Sequence, residues 1–249
     1  MTLKRINYGR GHGYKIDGQK VDGVTTLIKD GLPKPALPYW SARTVAEYVA
    51  DNLDQVAGMG DMGRASIVAA LKEVPWTARD KAAVKGTEVH NLGEKLIRGE
   101  EIEVPEHLAG HVDAYVQFLD DWKPEPILVE APVGHRRWRY AGTLDMVVRL
   151  PDGRTVLADI KTAASGIWPE TAYQLAAYRH AEVYLDSDGA EQPMPVVDAG
   201  FAIWVRADGY DVIPVECGER VFKDFLHIAW VARAAKDNKA LIGEAIRND

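Results

Sequence analysis

Thr143-Leu144-Asp145-Met146-Val147-Val148-Arg149-Leu150-Pro151-Asp152-Gly153-Arg154-Thr155-Val156-Leu157-Ala158-Asp159-Ile160-Lys161 consists of two apolar runs around a Pro-Asp-Gly turn. That pattern predicts a β-hairpin with strands over 144–150 and 155–160. Side chains alternate along a strand, so Asp159, Lys161 and Leu157 share one face, while Ala158 and Ile160 point the other way into a core. Asp145 falls on the side of Thr143 and Val147. Pairing the two strands can therefore bring Asp145 close to Asp159.

Working outward, a helical pattern begins near Pro169 and runs to about Tyr184. A polar loop over 186–195 precedes strands at about 199–206 and 210–215 and a last helix at about 219–236. Upstream lie a strand-like Ile127-Leu128-Val129, a helix over about 106–121, and a helix to about Arg98 with Val89, Leu92 and Leu96 as its buried stripe. Thr77 with Asp80 resembles a capping box that would open this helix. The order helix, three strands, helix, strand implies an α/β protein with a mixed sheet flanked by helices.

The first 76 residues read differently. Tyr14 and Ile16, a turn at Asp17-Gly18 and Val21 suggest a small β element. Thr25 or Thr26 could cap a short helix ended by Gly31. Pro33, Pro35 and Pro38 interrupt the chain, and helical patterns follow over 41–57 and 61–73 before Pro75. The expected division is an N-terminal helical cap over 1–76 and a core over 77–249.

Composition narrows the classes. The 249 residues carry a formal net charge of −7, which weighs against a protein that coats nucleic acid by bulk charge but leaves room for one basic groove. No apolar run reaches the roughly 18 residues of a membrane span, and the N-terminus lacks a signal-peptide stretch, so a cytoplasmic protein without membrane attachment is expected. The lone Cys217 can form neither an internal disulfide nor a four-cysteine zinc or iron–sulfur site, and reads as a buried bystander.

Two carboxylates side by side are costly, because like charges resist ionising together in a partly buried place. A divalent cation resolves the conflict, and hard oxygen ligands suit Mg²⁺ or Mn²⁺. Lys161 can then hold or deprotonate an attacking water, or balance charge on a phosphate. A bare Asp-x-Lys is more often a solvated hairpin face, so the accompanying residues decide.

Those residues are Gly142-Thr143-Leu144-Asp145, Asp159-Ile160-Lys161-Thr162, Gln174-Leu175-Ala176-Ala177-Tyr178 and, upstream on a helix, Gly86-Thr87-Glu88-Val89-His90. In this order they resemble the PD-(D/E)XK nuclease superfamily, and within it the RecB-type exonuclease branch that includes phage exonucleases and CRISPR-adaptation nucleases. The resemblance covers residues 84–206. It implies a restriction-endonuclease-like core, with His90, Asp145 and Asp159 as metal ligands, the Ile160 carbonyl as a further one, Lys161 as the catalytic lysine, and Gln174 and Tyr178 supporting the site and touching DNA. The iron–sulfur cluster of some members is not expected with one cysteine, and no Gly-x-x-x-x-Gly-Lys-[Ser/Thr] motor motif is present.

Weaker signals accompany the motifs. His135-Arg136-Arg137-Trp138-Arg139-Tyr140 precedes Asp145 and is a candidate DNA contact through Arg136, Arg137 and Arg139. Glu130 either orients a site residue or is a surface acid. His107 and His111 lie i, i+4 without an acid motif, so a solvent-facing pair is expected. Lys34, Trp40 and Arg43 could line a strand channel, although Trp40 reads as core. Gly86 and Gly93 flank His90 on one helix face and clear space beside it, and Glu94 could support the site through water. The functional expectation is a Mg²⁺- or Mn²⁺-dependent DNA nuclease, exonuclease rather than endonuclease, acting with recombination or replication proteins of the phage type. The rival is a DNA-binding module that keeps the nuclease fold without cutting.

Overall fold

In the computed structural model, which describes residues 2–9 and 11–246, the hairpin forms as its pattern requires. Ten strands are present among these residues: β1 (Leu3–Tyr8), β2 (Gly11–Ile16), β3 (Gln19–Gly23), β4 (Glu125–His135), β5 (Tyr140–Arg149), β6 (Thr155–Lys161), β7 (Val183–Leu185), β8 (Glu191–Pro193), β9 (Ala199–Arg206) and β10 (Gly209–Val215). The α-helices are α1 (Val24–Gly31), α2 (Ala36–Asp51), α3 (Leu53–Gly58), α4 (Arg64–Ile97), α5 (Ala109–Trp122), α6 (Glu170–Arg179) and α7 (Glu219–Asp237).

The chain divides into two compact units, residues 1–32 with 89–249, and residues 33–88. The first is α/β. Its sheet runs β10, β9, β6, β5, β4, β7, β8, with the meander β1–β2–β3 joined to β5. It is mixed: β6 pairs with β9 and β3 with β5 in parallel, while β5 pairs with both β4 and β6 antiparallel. One face packs under α1, α6 and α7, through Leu27, Leu175 and Phe225 against Leu144, Val147 and Leu157. The other packs under α5 and the end of α4, through Ile97, Tyr115 and Phe118 against Met146, Ala158 and Ile160. Both faces of β6 are therefore core, and Leu157 is as deeply buried as Ala158. A central strand between β5 and β9 has no solvated side.

Residues 33–88 hold α2, α3, a 3₁₀ turn at Met59–Asp61 and α4 up to Glu88. Among its described residues only Pro75 is buried. Trp40, expected as core, is 40% exposed, and Tyr39 and Trp76 are more so.

The expected boundary moves. Residues 1–32 are not part of a helical cap, because β3 extends the sheet beside β5 and α1 packs beside α7, where a Cβ on Gly31 would meet the Ile228 carbonyl oxygen at 2.1 Å. Gly31 is thus required by close packing. Neither Thr25 nor Thr26 caps α1; its N-cap is Gly23, without a side-chain bond. Pro75 does not end a helix either, since α4 runs through it. Proline removes one backbone bond and disfavours this placement by about 3 kcal/mol, a penalty that a 34-residue helix absorbs. Thr77 and Asp80 consequently lie mid-helix. The helix expected over 169–184 stops at Arg179, and β7 and β8 occupy stretches expected to be helix and loop.

Candidate active site

The site sits where two strands part. β5 and β6 are paired from Arg149–Thr155 to Met146–Ala158, and there the ladder stops. Beyond it Asp159, Ile160 and Lys161 pair only with β9. The first residues of β5, Tyr140 and Ala141, take β3 as their partner on that edge. Asp145 lies in the gap. Its Oδ2 accepts the backbone N–H of Ile160 at 2.7 Å, so a side chain takes the place of the missing ladder bond. A buried backbone N–H requires an acceptor, and this one fixes Asp145 against the β6 backbone.

Around Asp145 two groups of side chains meet. In the first, His90 Nδ1, near the end of α4, lies 3.3 Å from Asp145 Oδ2. Glu130 joins them from β4, and one donor atom from each of the three falls within 4.8 Å of the others. Glu130 stands opposite Asp145, between the pairs Val129–Met146 and Ala131–Leu144. Its φ is +51°, a left-handed conformation rare for a residue other than glycine, asparagine or aspartate. The register of β4 also slips between Pro126 and Leu128, a bulge that re-aims the side chains beyond it. Strained backbone of this kind costs roughly 1–3 kcal/mol and collects at functional sites. Tyr115, Glu94 and Ile160 line the same small pocket. A Cβ on Gly93 would lie 3.3 Å from Ile160 Cδ1 and 3.4 Å from Tyr115 Cε1, so the glycine does clear room next to His90.

The second group lies under α6. Asp159, only 1% exposed, is held on both oxygens: Oδ2 pairs with the Lys161 ammonium and Oδ1 accepts the Gln174 amide at 3.0 Å. Lys161 also donates to Gln174 Oε1 at 3.2 Å. Gln174 and Tyr178 lie one turn apart on α6 and so on the same side of it. Tyr178 packs against the β5 backbone at Gly142, where a Cβ would lie 2.5 Å from its ring. The Gly142 of the motif is there to admit this tyrosine.

Electrostatics separates the two groups. Burial, then Asp159, raise the Asp145 carboxyl to about 6, with His90, Lys161 and the Ile160 N–H working against them. Burial, then Asp145 and Glu94, push Glu130 up to about 7. Burial opposes the charge on Lys161, but Asp159 and Asp145 outweigh it and hold the ammonium above the ordinary lysine value. A protonated lysine can hold a water or balance charge on a phosphate, two of the roles expected of it.

The first group can hold a metal ion, since one imidazole nitrogen and two carboxylate oxygens lie within 4.8 Å of one another. Crowded carboxyls with raised pKa values are what a cation relieves. Of the expected ligands, His90 and Asp145 converge and Ile160 lines the pocket; Glu130 joins them, while Asp159 is paired with Lys161 and bonded to Gln174. The signal for Glu130 was an acid closing the apolar run Ile127-Leu128-Val129.

Other candidates lie elsewhere. Arg136 to Arg139 form the β4–β5 turn, with residues 140–144 of β5 between Arg139 and Asp145, or roughly 20 Å at about 3.3 Å per residue. Arg136 pairs with Glu191 and Glu182, and Arg139 donates to Gln19 Oε1 at 2.9 Å, so both tie the turn to its neighbours. Arg137 stacks over Trp138. His111 is buried on the packed face of α5, contrary to the expected solvent-facing pair, and among the described residues His90, Glu130 and Asp145 form the metal-capable cluster. Cys217 is buried, as expected. No described helix is long and apolar enough to cross a membrane.

No family model matches the chain, and no curated protein matches it. Among solved structures, one described as the crystal structure of SSO0001 aligns over 92% of this chain and 80% of its own at 12% identity. The TM-score is 0.33, too low for an inference about fold or function.

Proposed function

We propose that this chain is a metal-dependent DNA nuclease with a restriction-endonuclease-like core of the PD-(D/E)XK type, close to the RecB-type exonucleases. One observation carries the reading. Asp145, bonded to the Ile160 N–H at 2.7 Å, brings His90 and Glu130 together with the Asp159–Lys161 pair at the parting of β5 and β6. A structural hairpin has no use for a strained glutamate, a histidine and two aspartates at one point.

The reaction is hydrolysis of a phosphodiester by water, breaking the bond from phosphorus to the 3′ oxygen and leaving a 5′-phosphate. When bound, Mg²⁺ or Mn²⁺ supplies a Lewis acid at the scissile phosphate. His90, Glu130 and Asp145 hold the ion. Lys161, kept charged by Asp159, presents an ammonium to the phosphate as negative charge builds on it. Gln174 fixes both partners of that pair, and Tyr178 packs α6 against β5 at Gly142. DNA is the proposed substrate, and free ends the proposed point of entry.

Incubating the protein with end-labelled linear, circular and forked DNA tests this, with Mg²⁺, Mn²⁺ or chelator. Expected is loss of label from linear and forked DNA with either metal, and none with chelator. No cleavage with either metal would overturn the reading. Binding without cleavage would instead identify a DNA-binding module.

A further inference from the structure

Four described tyrosines are buried: Tyr14, Tyr115, Tyr140 and Tyr178. Buried tyrosine hydroxyls normally find a partner. Tyr14 bonds to Thr143 Oγ1 at 2.8 Å, Tyr140 donates to the Ala177 carbonyl at 2.8 Å, and the Tyr178 hydroxyl is not among the buried polar atoms left without a partner. Tyr115 is the exception. It is 1% exposed, and its hydroxyl has no hydrogen-bond partner among the described residues.

Its surroundings give that hydroxyl a use. On α5 the ring packs against Phe118 with centroids 5.7 Å apart. Its Cε1 and Cζ lie 3.4 and 3.5 Å from where a Cβ on Gly93 would stand, and Gly93 follows His90 by one helical turn. The oxygen-bearing end of the ring thus faces the last turns of α4, and Tyr115 lines the pocket of His90, Glu130 and Asp145. If the ring only filled space, phenylalanine would do so without an unsatisfied oxygen. Burial pushes the phenol's pKa up, so it stays a neutral O–H donor rather than becoming an anionic ligand.

We propose that Tyr115 is a positioning residue of the cation site. Its hydroxyl hydrogen-bonds to the hydration shell of the ion held by His90, Glu130 and Asp145, and so orients that shell within the pocket. The inference rests on the metal site of the proposed function and adds a residue that no motif in the sequence marks. Outer groups of this kind typically govern about tenfold or more in metal affinity.

The test uses the full chain and Mn²⁺ as probe. Calorimetric or electron-paramagnetic titration gives the Mn²⁺ dissociation constant, and urea unfolding in chelator gives stability without metal. Tyr115→Phe is expected to bind Mn²⁺ about tenfold more weakly, equivalent to about 1.4 kcal/mol. In chelator it should be at least as stable as the wild type, because it removes an unsatisfied hydroxyl. Tyr140→Phe, which deletes a satisfied hydroxyl, should show the opposite: lower stability and unchanged Mn²⁺ affinity. Equal Mn²⁺ affinity in Tyr115→Phe and wild type overturns the proposal. So does a loss of stability in chelator, which would mean that the hydroxyl serves the fold. Failure of the wild type to bind Mn²⁺ would refute the metal site itself, a result distinct from either.

Discussion

Glu130 offers the sharpest test, because its backbone strain and its raised pKa have one explanation. Burial, with Asp145 and Glu94 nearby, lifts its carboxyl from 4.5 to about 7. A carboxyl with a folded pKa above its unfolded value makes the folded state hold a proton that the unfolded chain gives up. Stability therefore falls as pH rises from about 4.5 to about 7. A tenfold difference in proton affinity between the two states is worth about 1.4 kcal/mol. Glu130 is only partly buried and shares its repulsion with Asp145, so a discounted loss of about 1–2 kcal/mol is expected. Glu130→Gln keeps the shape and stays neutral. In chelator it should match the wild type near pH 4.5 and exceed its stability by about that amount at pH 8. Urea unfolding at pH 4.5, 6 and 8 measures the difference, and subtracting the two proteins cancels the titrating groups that do not interact with Glu130. Mn²⁺ should reverse the order at pH 8, since an ion at a hundred times its dissociation constant adds about 2.7 kcal/mol to the protein that binds it. A difference that stays the same at every pH would show that Glu130 carries no unfavourable charge in the folded state, and the reasoning would fail.

Lys161→Ala should keep Mn²⁺ binding within a few-fold and lose at least about a hundredfold in cleavage rate, as expected for a charge that acts on the transition state; single-turnover assays with saturating metal check this. Gly142→Ala drives a Cβ to 2.5 Å from the Tyr178 ring and should destabilise by about 1–3 kcal/mol in thermal or urea unfolding. Arg136→Ala should lower stability by leaving Glu191 and Glu182 uncompensated, whereas Arg137→Ala should not, and neither should change the salt slope of DNA binding by more than about one unit; anisotropy titrations across salt concentrations, beside melting curves, separate the two effects.

Much of the fold was legible because periodicity reports burial. The Pro-Asp-Gly turn, the strands on either side of it, the last two strands and the final helix followed from patterns of two and of about four. That Asp145 comes near the Asp-x-Lys strand followed from the hairpin, although the contact itself forms where the β5–β6 ladder opens. Tertiary context decided what was missed. β1 buries only Leu3 and shows no alternation, so this edge strand left no pattern to read. Pro75 reads as a stop, yet α4 tolerates it. The arginines next to Asp145 in sequence are separated from it by the length of a strand, since proximity along an extended chain becomes distance in space.

Glu130 shows why site residues resist pattern reading. Alternation along β4 would predict its direction if the strand were regular, but a register slip after Pro126 and a φ of +51° turn it by local distortion. The same irregularity marks β5, where Leu144 packs with one face of the sheet and Met146, two residues on, with the other. Between them Asp145 leaves the alternation and reaches the β6 backbone. A regular sheet would pair β5 and β6 throughout and satisfy the Ile160 N–H with a carbonyl, leaving Asp145 no place in the ladder. Opening the ladder there lets one carboxylate face His90 and Glu130 while bonded to the strand that carries Asp159 and Lys161. The distortion that hides the site from the sequence is thus what brings a cation-holding group and a charged lysine together.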